Sequence, residues 1–116
     1  ESEELYRNLF QNNPSMYFKV AADGTVLSIN PFGAETLGYT VDELVGTSVL
    51  DVFFPADRDN VQQHLTQCLE HPGEVAYWEF RKVRRDGSVM WVKENVQAVH
   101  EADGNWVVLI VSDDIT

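Results

Sequence analysis

The stretch Asn30–Gly46, NPFGAETLGYTVDELVG, carries two helix starts and two helix stops in seventeen residues. Asn30 directly precedes Pro31. An Asn side chain accepts a bond from an orphan amide of the first turn, and a Pro at the first helical position has no N–H to leave unpaired. Gly38 offers the left-handed residue that closes a helix, so the first helix is expected to end at Leu37. A second start follows at once. Thr40 and Glu43 form a T-x-x-E capping box, flanked by Tyr39 and Leu44 at the spacing of a hydrophobic staple, and Gly46 stops the helix after little more than a turn. Helices this short are marginal in water on their own. A sheet must hold them, and the sequence supplies strands on both sides.

Asn30, Ala34, Leu37, Gly38, Tyr39, Asp42, Glu43, Leu44 and Gly46 fall in register on the central signature of PAS domains, the sensory modules of signalling proteins. The resemblance continues through FFPADR (Phe53 to Arg58), EFRKVRRDGSVMWV (Glu79 to Val92) and the terminal Asp114-Ile115-Thr116. It covers essentially the whole chain. It implies a five-stranded antiparallel sheet in the order 2-1-5-4-3, with the helices over one face.

The residues read independently lead to the same α+β class. Residues 1–13 form an expected amphipathic helix with a stripe of Leu5, Tyr6, Leu9 and Phe10, ended by Pro14; residues 14–116 form the domain proper. Met16, Phe18 and Val20 alternate with polar partners, Asp23-Gly24 turns the chain, and a second strand carries Leu27 and Ile29 on one face. A turn of helix is expected within Ser48–Phe54, and one long helix over Asp57–Glu70 with Val61, Leu65, Cys68 and Leu69 on its apolar stripe, ended by Pro72-Gly73. Three strands follow, separated by Asp86-Gly87 and Asp103-Gly104. The first carries Ala76, Trp78 and Phe80 on one parity, and the second Met90, Val92, Val96 and Ala98. The last contains WVVLIV, apolar on both parities, and is therefore expected at the centre of the sheet with the N-terminal helix as its second cover.

At 116 residues this is one domain with a single core. Its formal charge of −11 lacks the Lys/Arg excess that a nucleic-acid face or an anionic membrane surface requires. No apolar run spans a bilayer, and Cys68 is alone, so neither a disulfide framework nor a C-x-x-C metal pair is expected. A reduced, cytoplasmic setting fits, and the chain reads as a piece of a longer protein. No nucleophile–base–orienter set, P-loop or dinucleotide fingerprint is present, and the Asp-Gly turns lack a calcium ladder. The chain is read as a regulatory module, not an enzyme, with no metal site.

In the family it resembles, ligands occupy the space between sheet and helices. The walls there are expected from Phe18, Ile29, Leu37, Leu44, Leu50, Leu65, Trp78, Phe80, Val92 and Ile110, which serve equally as an ordinary packed core. The cofactor is left open. The chain has SVLDVFFP where light-sensing members carry a reactive Cys, which argues against a flavin–thiol photocycle and leaves non-covalent flavin possible. His64, on the long helix where haem-binding members place an axial ligand, is the candidate for haem. The resemblance also implies a homodimer through Leu5, Tyr6, Leu9 and Phe10, a small apolar ligand, and a signal output at Asp114, Ile115 and Thr116. That output leads to an effector in the same chain, a histidine kinase or a cyclic-dinucleotide enzyme. The rival readings are a ligand-free dimerisation module and a haem or flavin redox sensor. Lys93, Arg81 and Arg84 are the expected partners of Asp114.

Overall fold

Asn30 ends a strand and begins a helix. Its backbone is extended, and its Oδ1 accepts from the Gly33 amide, while Gly38 at φ +87° closes the helix. In the computed structural model, which describes residues 15–116, this first helix (α1) spans Pro31–Leu37. Gly33 is required for another reason. A Cβ there would stand 2.7 Å from Asn30 Oδ1 and 3.2 Å from Met16 Cβ, so the helix could not lie this close to the first strand. The second helix (α2, Val41–Leu44) carries the full capping box: the Glu43 amide donates to Thr40 Oγ1 and the Thr40 amide to Glu43 Oε1. Two short 3₁₀ turns follow, Val49–Val52 and Pro55–Asp57, then the long helix (α3, Arg58–Glu70).

The strands are β1 (Met16–Ala21), β2 (Val26–Ile29), β3 (Ala76–Val83), β4 (Val89–His100) and β5 (Trp106–Asp114). They form one antiparallel sheet in the order β2-β1-β5-β4-β3, as the resemblance implied, and β5 is central, as its two apolar parities predict. The helices cover one face. Met16, Phe18, Val20, Met90, Val92, Val96, Ala98, Val108 and Ile110 point into that cover and are buried. The N-terminal stripe of Leu5, Tyr6, Leu9 and Phe10 lies outside the described residues.

Two expectations are corrected. On β2, Leu27 does not share the inner face with Ile29. Phe18 pairs with Ile29 and Lys19 with Ser28, but Val20 pairs with Val26, so Leu27 is the extra residue of a β-bulge. The bulge turns Val26 inward beside Ile29 and leaves Leu27 42% exposed. The long helix starts at Arg58, because Asp57 belongs to the preceding 3₁₀ turn and aims its carboxylate at β3.

The connection from α2 to α3 touches both edges of the sheet. At the β2 edge the Val26 amide donates to Thr47 O and the Gly46 amide to Val26 O, both at 2.8 Å. At the β3 edge the Phe54 amide donates to Arg81 O at 2.9 Å, and Phe53 bridges to Lys82. Asp57 completes this second contact. Its Oδ2 accepts from the Arg81 amide at 3.0 Å and from Arg81 Nε at 3.1 Å, and its Oδ1 from a terminal guanidinium nitrogen at 2.7 Å. The guanidinium lies over the rings of Phe54 and Trp91. These bonds from Arg81 hold the Asp57 carboxyl below the usual carboxylate range. A carboxyl lowered on folding contributes stability above its unfolded value of about 3.9, and that contribution is lost as pH falls through the folded value. Asp57→Asn is therefore expected to lower stability by about 2 kcal/mol at neutral pH. The difference from the parent should shrink below about pH 4 in urea titrations at stepped pH. A constant difference down to pH 2 would mean that the charge of Asp57 is not what the clamp uses.

Candidate functional site: the sheet interior and its exit

The ten expected pocket residues come together. Ile29, Phe18 and Ile110 occupy one cross-strand row, and Phe80 and Val92 another. Leu37, Leu44 and Leu65 descend from the helices, and Leu50 and Phe80 pack, partly buried, against the same cluster. They constitute the inner layer of the domain. Cys68 is buried in it, and desolvation raises its thiol pKa, as for a small core residue.

Between the two rows lies a third, of which sequence reading named only Trp78. Trp78 pairs with Glu94, and Glu94 with Ser112. Lys82, farther along β3, reaches past the Phe80–Val92 row to the same place. Its Nζ stands 3.1 Å from Glu94 Oε2, and both side chains are wholly buried. Ser112 Oγ donates to the same Oε2. The ammonium also lies over the rings of Phe53 and Phe18, 3.9 and 4.5 Å from their centroids. Burial pushes the Lys82 pKa down, against the pull of the Glu94 charge. The signal for this cluster was present in the alternation. Lys82 shares the parity of Trp78 and Phe80, Glu94 that of Val92 and Val96, and Ser112 that of Val108 and Ile110. A polar residue on an apolar parity of three neighbouring strands marks an interior polar group.

His64 stands at the rim of the interior. Its Nδ1 donates to the Asn60 carbonyl at 2.6 Å. Its ring meets Trp78 and Phe80 edge-on at 5.3 and 5.5 Å. It lines a cleft of about 280 Å³ between α3 and β3, together with Cys68, His71, Tyr77 and Trp78. That volume is at the small end for ligand pockets. Among the described residues no group of three His, Cys, Asp or Glu side chains is arranged to hold a metal ion.

The chain leaves the sheet along β5. Two residues after the inward Ser112, Asp114 is half exposed. Its Oδ1 accepts from the Thr116 amide at 2.9 Å, which lowers its pKa, and its Oδ2 lies 4.0 Å from Arg84. Of the three expected cationic partners Arg84 is the one beside it. Arg81 is taken by Asp57, and Lys93 pairs in register with Asp113. Ile115 N–H donates to Trp91 O at 3.0 Å, and Thr116 Oγ1 accepts from the Trp91 amide at 2.9 Å, so the last residues stay tied to β4.

The family model of the PAS fold matches residues 4–115. The chain belongs to the PAS family. The PAS domain of an HTR-like protein from Haloarcula marismortui is 30% identical and superposes with a TM-score of 0.86, over 98% of this chain and 92% of that one. A sensor histidine kinase, TmoS, of Ectopseudomonas mendocina is 25% identical over 99% of this chain, which spans 12% of that protein's length. A probable diguanylate cyclase, DgcE, of Escherichia coli is 27% identical over 90% of the chain, which spans 9% of its length. This PAS domain is thus homologous to sensory domains of multidomain signalling proteins, and it is a regulatory module. No helix among its described residues is long and apolar enough to cross a membrane.

Proposed function

We propose that this PAS domain is an input module that passes the state of its interior, or of a neighbouring domain, to an effector that follows it in the same chain. The observation that carries the reading is the course of β5. Ile110 and Ser112 face the interior, and Asp114, Ile115 and Thr116 emerge two residues later at the exit of the sheet. A displacement of β5 set by the interior is thereby delivered to whatever follows Thr116, as a shift between two populations. The names of the two relatives favour a histidine kinase as that effector, with a cyclic-dinucleotide enzyme next. The module is proposed to work as a homodimer, whose mass light scattering would read directly.

The connector is tested at Asp114. Its pairing with Arg84 is half exposed and at the limit of ion-pair distance, so Asp114→Ala should change stability by about 1 kcal/mol or less. A comparable energy applied to a two-state linker moves its populations several-fold. Full-length protein with Asp114→Ala should keep basal effector activity and lose its modulation by the signal. Modulation that survives the change would remove Asp114 from the output path.

A ligand-free dimerisation module is the second reading, favoured by the burial of eight of the ten pocket residues in one cluster: Phe18, Ile29, Leu37, Leu44, Leu65, Trp78, Val92 and Ile110. Native mass spectrometry separates the two, since a retained small molecule supports the sensory reading and its absence after gentle purification the other. A colourless protein that takes up neither haem nor flavin would retire the redox alternatives.

A further inference from the structure

We propose that the groove between the β1–β2 and β4–β5 turns docks a basic, amphipathic peptide segment of a partner protein, in which arginine or lysine alternates with apolar side chains. This surface is separate from the interior and from the output path. Ala21 pairs with Val107 at one end of β1, and Met16 with Ser112 at the other. The groove therefore lies at the end of the sheet opposite Asp114 and Thr116.

Its apolar part is built by the strands. The groove encloses about 630 Å³, a volume within the range of sites that hold ligands. Ala21 and the buried Val107, opposed in register, form its floor. Leu27 borders it on one side and Trp106 on the other, 42% and 41% exposed. Leu27 is there because of the bulge in β2. Plain alternation would turn it inward with Ile29, and the extra residue aims it at the groove instead. Trp106 is braced from behind. Its ring stacks on that of His100 at 4.7 Å, and His100 Nε2 donates to Gly104 O at 2.8 Å.

Charge selects the occupant. Among the described residues the lining holds three acids and no lysine or arginine. Glu101 is paired with Lys19. Asp23 and Asp103 instead accept from their own turns: Asp23 Oδ1 from the Thr25 amide at 3.0 Å, and Asp103 Oδ1 from the Asn105 amide at 2.9 Å. These bonds fix both carboxylates at the rim and hold their pKa values below the ordinary range, so both are charged at neutral pH. A second copy of this chain would bring a further −11 to an acidic rim and is disfavoured. A basic segment meets the opposite sign. Its aliphatic side chains cover Leu27 and the floor, and a guanidinium can lie over Trp106 while it faces Asp103.

The test is made by NMR on the isotopically labelled chain with three blocked hexapeptides, in which Leu alternates with Arg, with Gln or with Glu. The Trp106 indole N–H and the Gly104 amide are the reporters. The Arg peptide is expected to shift both saturably, with a Kd on the order of 0.1 mM. Raising the salt from about 0.05 to about 0.5 M should weaken it by about fivefold or more. The Gln peptide should bind about tenfold more weakly, and the Glu peptide should leave both reporters in place. Asp23→Ser/Asp103→Ser keeps a hydroxyl to accept each turn amide and removes both charges, and it should weaken the Arg peptide about tenfold. The proposal is overturned if no peptide moves Trp106, if the Gln peptide binds as tightly as the Arg peptide, or if the double variant binds unchanged. It is overturned equally if the chain alone shifts the same reporters on concentration, which would make the occupant a second copy. The selectivity is read on the unaltered chain, so the test stands whether or not the variant folds. Modulation that survives Asp114→Ala bears on the relay alone, because the groove lies at the other end of the sheet.

Discussion

Lys82→Met is expected to lower the stability of the domain by about 3–5 kcal/mol, while Lys82→Met/Glu94→Leu returns it to the parent value or raises it. The asymmetry follows from burial. Both side chains are shut off from solvent, so removing the ammonium alone strands a carboxylate among Phe18, Phe53 and the inner strands. That carboxylate must either stay charged without a partner or take up a proton, and both raise the energy of the folded state. Removing both groups withdraws two desolvation penalties together with the attraction that opposes them. Apolar side chains of similar volume then pack against the same rings. Urea unfolding of the parent, the single variant and the double variant measures all three quantities. A single variant within about 1 kcal/mol of the parent would mean that water reaches Glu94.

Asn30→Ala should destabilise by about 2–4 kcal/mol, although the residue is only an Asn between a strand and a helix. Asn30 is wholly buried, and its amide makes three bonds. Oδ1 accepts from Tyr17 N–H at 2.9 Å and from Gly33 N–H at 3.1 Å, and Nδ2 donates to Ser15 O at 2.8 Å. One side chain thus caps α1 and ties its start to β1. Alanine removes all three bonds and leaves their backbone partners enclosed. Asn30→Asp separates the parts, since it keeps the acceptor for both amides and places an oxygen where Ser15 O needs a donor. Thermal and urea unfolding should rank the parent above both variants. If Ala is tolerated to within a few tenths of a kcal/mol, the bonds to β1 contribute nothing beyond an ordinary exposed cap.

These two cases mark what sequence reading can reach. The cap of Asn30 on Gly33 is local, three residues apart, and the order Asn-Pro announces it. Its bonds to Tyr17 and Ser15 are set by where β1 runs beneath α1, and no short-range pattern encodes that. The central place of β5 was legible because its apolar residues occupy both parities. The bulge at Leu27 was not, since a strand of four residues offers too few alternations to expose an inserted one. Lys82, Glu94 and Ser112 stood in plain alternation with apolar residues. Their meeting depends on the length of the lysine side chain crossing a row of the sheet, which parity alone does not supply. Arg84, Arg81 and Lys93 were equal candidates for Asp114 until the register of β4 on β5 and the position of Asp57 separated them.

The segment that runs from α2 to α3 has a bearing on how many copies of this fold can live side by side. An open sheet ends in rows of unpaired amides and carbonyls, which invite a strand from another molecule. Here Gly46 and Thr47 occupy part of one row, and Phe54 and Asp57 part of the other. Each border is thus interrupted by the protein's own backbone or carboxylate, and a foreign strand could not extend along its whole length without displacing it. Sheet-to-sheet polymerisation is discouraged at both ends of the same layer. Modules so edged can be joined in tandem or held at high local density in a receptor array without fusing into a common sheet.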